Sequence, residues 1–338
     1  MHIPDGYLGP QTYAVLDVAI IPIWATAAVK VKKTLKAKQV PLLALGAAFS
    51  FVIMMFNVPV VGGTTAHAVG GVLIAVLLGP WAAVLAVSSA LVIQALAFGD
   101  GGITAIGANC LNMAVVMPFV GYAVYRLIAG NAPRVGRKVA AAGIGGYVGL
   151  LAASICAGLE IGIQPLIAHD AAGHALYAPF PLSVSVPSMA VAHLLVGFVE
   201  AIVTMGVVAA LAKSDPALVE MKPSSKPLNW AWAALGAIIL LTPIGLIAPG
   251  SAFAEWDPQE LAKIFHLGYV PAGMAHLSGI YNALMPDYAP TFISNPNLGY
   301  IFAGVSGAAM IAAVVWLWGS LLSRGKDSDS TPSSRVAS

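Results

Sequence analysis

The chain has 338 residues, 59% of them hydrophobic and 9% charged, with 16 Lys and Arg against 14 Asp and Glu for a formal net charge of +2. A mean hydropathy of +0.87 excludes an ordinary soluble globule. An all-α polytopic membrane protein is expected instead, with the lipid bilayer as its environment and no nucleic acid among its partners.

The chain opens Met1-His2-Ile3-Pro4-Asp5-Gly6. An imidazole beside a free α-amino group is a compact chelate, because the amine and the His2 amide nitrogen close a five-membered ring on a metal while His2 Nδ1 and that amide close a six-membered one. Three coplanar nitrogens suit a tetragonal Ni(II) or Cu(II) ion, with Co(II) also possible, and leave one equatorial position open. A bulky His at position 2 discourages removal of the initiator, so the amine is expected to be that of Met1. The competing reading is an initiator segment whose His has no role. Pro4, Gly6, Gly9 and Pro10 break any helix, which predicts a shaped loop able to fold back into the bundle. Residues 1–12 lack a basic n-region and an apolar h-region, so a retained segment is expected rather than a cleaved leader.

Crossing a hydrocarbon core of about 30 Å takes about 20 apolar residues as helix. Such runs fall at 13–29, 40–57, 69–79, 80–98, 110–128, 139–162, 189–211, 230–249 and 300–321. The third is short, and its boundary at Gly79-Pro80 is the least defined. Charge distribution tests it: Lys30 to Lys38, Arg126 to Lys138, Lys213 to Lys226 and Arg324 to Arg335 share one face, and Lys263 alone among the 16 basic residues falls on the other. This bias predicts an N-terminus outside and a C-terminus in the cytoplasm, provided that 69–98 crosses twice.

Between the second and third runs lies Asn57-Val-Pro-Val-Val-Gly-Gly-Thr64-Thr-Ala-His67-Ala-Val-Gly-Gly71. Glycine pairs on both sides of His67 permit sharp bends and close backbone approach. A loop His alone is more often a hydrogen-bonded loop residue; on the same face as the N-terminal chelate, His67 is the candidate for the fourth metal nitrogen. Asn57 and Thr64 flank it. Gln94, then Phe98-Gly-Asp100-Gly-Gly102, then Asn109 and Asn112 form a third polar group. Their amides and carboxylate can hold the inserted loop and orient its imidazole, although helix capping and turn formation account equally well for Asp100.

Cys110 and Cys156 have no CxxC spacing and read as small packing residues. His193 and Glu200 are seven residues apart, hence on one face of the seventh run and about 10 Å apart along it. Ionisable groups at such depth need partners or a polar cavity; a relay, a hinge for release and a structural hydrogen-bond network are all open. Asp17 and Glu160 sit near outer helix ends, where solvation suffices.

The start MHIPDG, the GGTTAHAVGG loop, the FGDGGITAIGANCLNM segment and His193 with Glu200-Ala201 resemble the cobalt and nickel substrate-capture subunits of energy-coupling factor transporters, the CbiM/NikM family. The likeness covers roughly residues 1–215. It implies a seven-helix core and a metal held by the terminal amine, the second residue's amide and imidazole, and a loop His, falling here on Met1, His2 and His67. It further implies a membrane coupling protein and two cytoplasmic ATPase subunits as partners, cobalt or nickel as the transported ligand, no resident cofactor, and no enzymatic activity of the chain itself.

Four regions are expected: a metal-capture core at 1–213, a cytoplasmic linker at 214–229, two further spans with a long outer segment at 230–323, and a disordered tail at 324–338. The two added spans resemble the small auxiliary subunit fused in some nickel-type members. Their outer segment carries Glu255, Asp257, Glu260, His266, Met274, His276 and Asp287, for which packing over the mouth of the core is the leading expectation and metal guidance the alternative. The sequence has no G-x-x-x-x-G-K-[ST] phosphate loop. A secondary metal transporter or channel without ATPase partners is the competing function, although it would favour charges strung through several spans. Sequence alone leaves cobalt against nickel open.

Overall fold

The computed structural model describes residues 1–131, 134–224 and 226–323; the expected tail at 324–338 lies outside them. Pro10 opens α1 (Pro10–Thr34), since proline's fixed φ suits a first helical turn. Val15, Val18 and Ile21 on this helix are exposed, as a lipid-facing surface requires. Helix α2 (Val40–Met54) is almost wholly buried. A hairpin follows, the one two-stranded sheet among the described residues: β1 (Val58–Val60) pairs antiparallel with β2 (Thr64–Ala66) in the register Val58↔Ala66 and Val60↔Thr64.

The third run is corrected here. Helix α3 spans only Gly71–Leu78, about 12 Å at 1.5 Å per residue, too short to cross alone. Gly70, at φ 75°, turns the chain into it, so the rest of the passage is non-helical. The stretch nevertheless runs from one end of the bundle to the other, because His67 lies with Met1 while Gly79 lies against Met221. Among the described residues, eight helices are long and apolar enough to cross a membrane, and the third run is not one of them.

Helix α4 (Pro80–Ile93) opens into a π-helical turn over Gln94–Phe98 and stops at Gly99 in the left-handed region. Helix α5 (Ile106–Ala129) carries a second π stretch over Cys110–Val116. Helices α6 (Val135–Gly162) and α7 (Leu182–Ser214) pack along much of their length, α6 burying small residues such as Ala142, Gly146 and Ala153. The bundle closes with α8 (Asn229–Leu241) and α9 (Pro296–Ser323), α9 lying against α2, where the Tyr300 hydroxyl donates to Met55 O at 2.9 Å.

Between α8 and α9 the chain folds over the N-terminal loop. Asp257 caps a short helix, Pro258–Ile264, by accepting from Gln259 N and Glu260 N. A second short helix, Ala272–Leu277, lies on Gly6, which stands at φ 89°; a Cβ there would meet Met274 O at 2.6 Å. Glycine at position 6 therefore permits both the turn and the cover.

Candidate metal centre

Residues 1–9 form a buried loop, with Met1, His2, Ile3, Tyr7 and Leu8 each at most 3% exposed. Most of its polar groups are met, His2 Nε2 being a buried exception. Asn109 Oδ1 accepts from Ile3 N at 2.8 Å and its Nδ2 donates to Ile3 O at 3.0 Å, so one amide satisfies both main-chain groups. Gly102 N also donates to Ile3 O. Asp5 accepts from Ile103 N, Thr104 N and the Thr104 hydroxyl. Gln164 Oε1 receives Gly9 N at 2.9 Å, and the Tyr7 hydroxyl donates to Trp256 O at 2.8 Å.

Three nitrogens converge at the start of this loop. His67 Nε2 lies 3.5 Å from the Met1 amine and 3.2 Å from His2 Nδ1, and the two imidazole centroids are 4.9 Å apart. Nδ1 of His67 lies 3.1 Å from Ala68 O; donating there, it leaves the lone pair on Nε2, directed at the other two nitrogens. Burial, then the charges of the amine and of His2, hold the His67 imidazole well below its usual range, which keeps that lone pair free. No three His, Cys, Asp or Glu side chains form a cage among the described residues; the third nitrogen of the cluster is the terminal amine.

Around it stands a polar shell. Asp100 Oδ1 is 3.0 Å from His2 Nδ1, and Asp100 Oδ2 accepts from the Tyr288 hydroxyl and, at 3.2 Å, from Gln94 Nε2. Burial pushes the Asp100 carboxyl up, but the charge and hydrogen bond of His2, with His67 and Tyr288, outweigh it and hold Asp100 far below the usual carboxylate range. Glu255 Oε1 lies 3.4 Å from the Met1 amine. Its carboxyl is raised, burial prevailing over the pull of the amine. His67, Asp100, Glu255, Asp287 and Asn57 line one cavity of about 370 Å³.

The structure brings together Met1, His2, Asn57, His67, Gln94, Asp100 and Asn109, and places Thr64, Asn112, His193 and Glu200 outside this group. Thr64 bonds Val61 O in the hairpin turn, at 3.4 Å. Asn112, within the π stretch of α5, donates to Glu160 Oε2 of α6 at 2.7 Å and makes no bond to the nitrogen cluster. Glu160 is thus paired rather than solvated, and Asp17 is likewise engaged, accepting from Gly107 N at 2.7 Å. Glu200 accepts from Val69 N at 2.8 Å and Gly70 N at 3.0 Å, capping α3 directly after His67. His193, two turns away, bonds Met189 O and not Glu200. Asp5, Gln164 and Tyr288 were not singled out from sequence; Asp5 and Gln164 had only the polar character of their positions as a signal. Cys110 and Cys156 are free thiols.

Fold and cluster together define a helical membrane protein that buries its own N-terminus among imidazoles. Residues 2–218 match the family model CbiM, described as a cobalt uptake substrate-specific transmembrane region, and residues 228–324 match the PDGLE domain. The chain is 49% identical to the fused nickel transport protein NikMN of Rhodobacter capsulatus, over 94% of this chain and 96% of the relative. It is 43% identical to the probable fused nickel transport protein LarMN of Lactiplantibacillus plantarum, over 93% and 96%. A crystal structure of a truncated transition metal transporter superposes with a TM-score of 0.59 at 52% identity, covering 63% of this chain and 99% of that one. The chain belongs to the CbiM family, in the form that carries a fused C-terminal PDGLE domain.

Proposed function

We propose that this chain is the substrate-binding component of an ATP-driven energy-coupling factor transporter, and that its cargo is nickel. The observation that carries the reading is the convergence of the Met1 amine and His2 Nδ1 on His67 Nε2, which lies 3.5 Å from the first and 3.2 Å from the second. With the His2 amide nitrogen they offer four nitrogen donors, and a deprotonated amide in a planar set of that kind would favour Ni(II) over Co(II) on ligand-field grounds. The relatives matched end to end are named for nickel, whereas relatives named as cobalt proteins match 38–39% of the chain. The cluster faces outside and the Lys-rich loops face the cytoplasm, with residues 1–213 as the capture core and 230–323 as its cover.

A membrane coupling protein and two cytoplasmic ATPase subunits supply the energy and the ATP hydrolysis. Reconstitution of the purified chain in vesicles tests this arrangement, measuring nickel uptake with and without those partners. Binding without accumulation by the chain alone is the expected result. Sustained ATP-independent uptake against a gradient by the chain alone would establish secondary transport in its place.

A further inference from the structure

An amine that gives its lone pair to a metal keeps two N–H bonds, and inside a protein each needs an acceptor. Met1 is 2% exposed, so water is not freely at hand. Glu255 Oε1, 3.4 Å from the nitrogen, accepts one. His67 Nε2, at 3.5 Å, cannot accept the other once its own lone pair is on the metal.

A second acceptor lies on α7. His193 is 2% exposed, and its Nδ1 is 2.8 Å from Met189 O, a carbonyl that can only accept. The proton therefore sits on Nδ1, and Nε2 holds a bare lone pair. That Nε2 is buried without any hydrogen-bond partner. Seven residues on, Glu200 grips Val69 N and Gly70 N, so this face of α7 runs beside the loop that carries His67. The ring also lies within electrostatic reach of the Met1 amine.

We propose that His193 is a positioning residue of the metal centre: its Nε2, which has no partner of its own, accepts the second N–H of the metal-bound Met1 amine through one bridging water and so aims the amine lone pair at the metal. The inference rests on Met1 as a ligand. It assigns a use to the one buried imidazole lone pair on α7, and explains why the chain keeps a polar ring in an otherwise apolar helix.

The test uses the full-length purified chain and Ni2+ alone. His193→Gln places a carbonyl oxygen near the position of Nε2 and keeps an acceptor; His193→Phe fills the volume without one, and His193→Leu serves the same comparison where the ring does not fit. Loss of the acceptor should weaken Ni2+ binding about 10- to 100-fold, the range for partners that orient metal ligands, while His193→Gln stays within about threefold of the unsubstituted chain. All variants should keep the same melting temperature and the same planar Ni(II) absorption spectrum. Unchanged affinity in His193→Phe and His193→Leu overturns the proposal, as does a His193→Gln chain as weak as they are. A five-coordinate spectrum that becomes planar in His193→Phe also overturns it, by making His193 a ligand. An unsubstituted chain that fails to bind Ni2+ sinks the metal-centre reading itself, a result separable from these.

Discussion

Glu255 Oε1 lies 3.4 Å from the Met1 amine, across 254 positions of sequence. The C-terminal PDGLE region therefore does more than cover the N-terminal loop: it contributes a carboxyl group to the nitrogen cluster. Tyr288 from the same region bonds Asp100, which in turn meets His2. Two strands of the polar shell thus begin in one domain and end on the first two residues of the other.

The carboxylate remains useful after a metal arrives, since a coordinated amine still donates N–H and the metal adds positive charge nearby. Glu255→Ala should weaken Ni2+ binding about tenfold, with Glu255→Gln intermediate because it keeps one acceptor oxygen. Calorimetric titration of the two variants decides it. Affinities equal to that of the unsubstituted chain would show that the amine is oriented without the C-terminal domain.

Removing a ligand should cost more than removing a partner of a ligand. His2→Ala and His67→Ala are each expected to lower Ni2+ affinity by more than about 100-fold, beyond the range of orienting residues. One extra residue before Met1 shifts the amine out of chelate register and should do the same. Normal binding by the extended chain would remove the amine from the site.

Glu200 holds two adjacent main-chain N–H groups at the point where the His67 loop becomes α3. Glu200→Ala leaves both donors buried and should destabilise the fold by about 3 kcal/mol. Metal affinity should fall with it, because the position of His67 depends on the same turn. Denaturation and Ni2+ titration on one preparation should show both losses; a stable variant with a displaced or weakened metal site would mean that the carboxylate serves the site and not the fold.

Proton release distinguishes nitrogen from oxygen ligation. An amide that coordinates as an anion gives up one proton per metal, and any α-ammonium still protonated at that pH adds to the count. The His67 imidazole, held well below its usual range by burial, stays neutral at pH 7 and contributes little to the count. Calorimetry in buffers of different ionisation enthalpy should return one proton or more per Ni2+ at pH 7. A count near zero, with affinity flat from pH 8 to 6, would point to the carboxylates of the cavity as the ligands.

Much of this architecture is legible without coordinates, because its causes are local. A bilayer demands runs of about 20 apolar residues, and such runs can be counted. The His2 chelate follows from bond counting within two residues, and the helix-breaking residues at positions 4, 6, 9 and 10 mark a loop. The third run misleads for an equally local reason: apolar composition at 69–79 does not distinguish a helix of eight residues from a span, and the Gly70 turn that shortens it becomes visible only when Glu200 is seen to cap the next helix. Asn112 and Asn109 lie three residues apart in the same motif, yet one, inside the π stretch, pairs with Glu160 and the other, at its start, clamps Ile3.

By itself the sequence determined the membrane-spanning character and singled out the N-terminal segment and His67, which depend on neighbours in the chain or on overall composition and which the structure brings together. Only the tertiary structure decided which polar groups meet. Asn109 with Ile3, Glu200 with Val69 and Gly70, and Glu255 with Met1 are joined across 106, 130 to 131 and 254 positions. The physical reason is that a buried donor or acceptor must find a partner in three dimensions, and helix packing sets which one is within 3.5 Å.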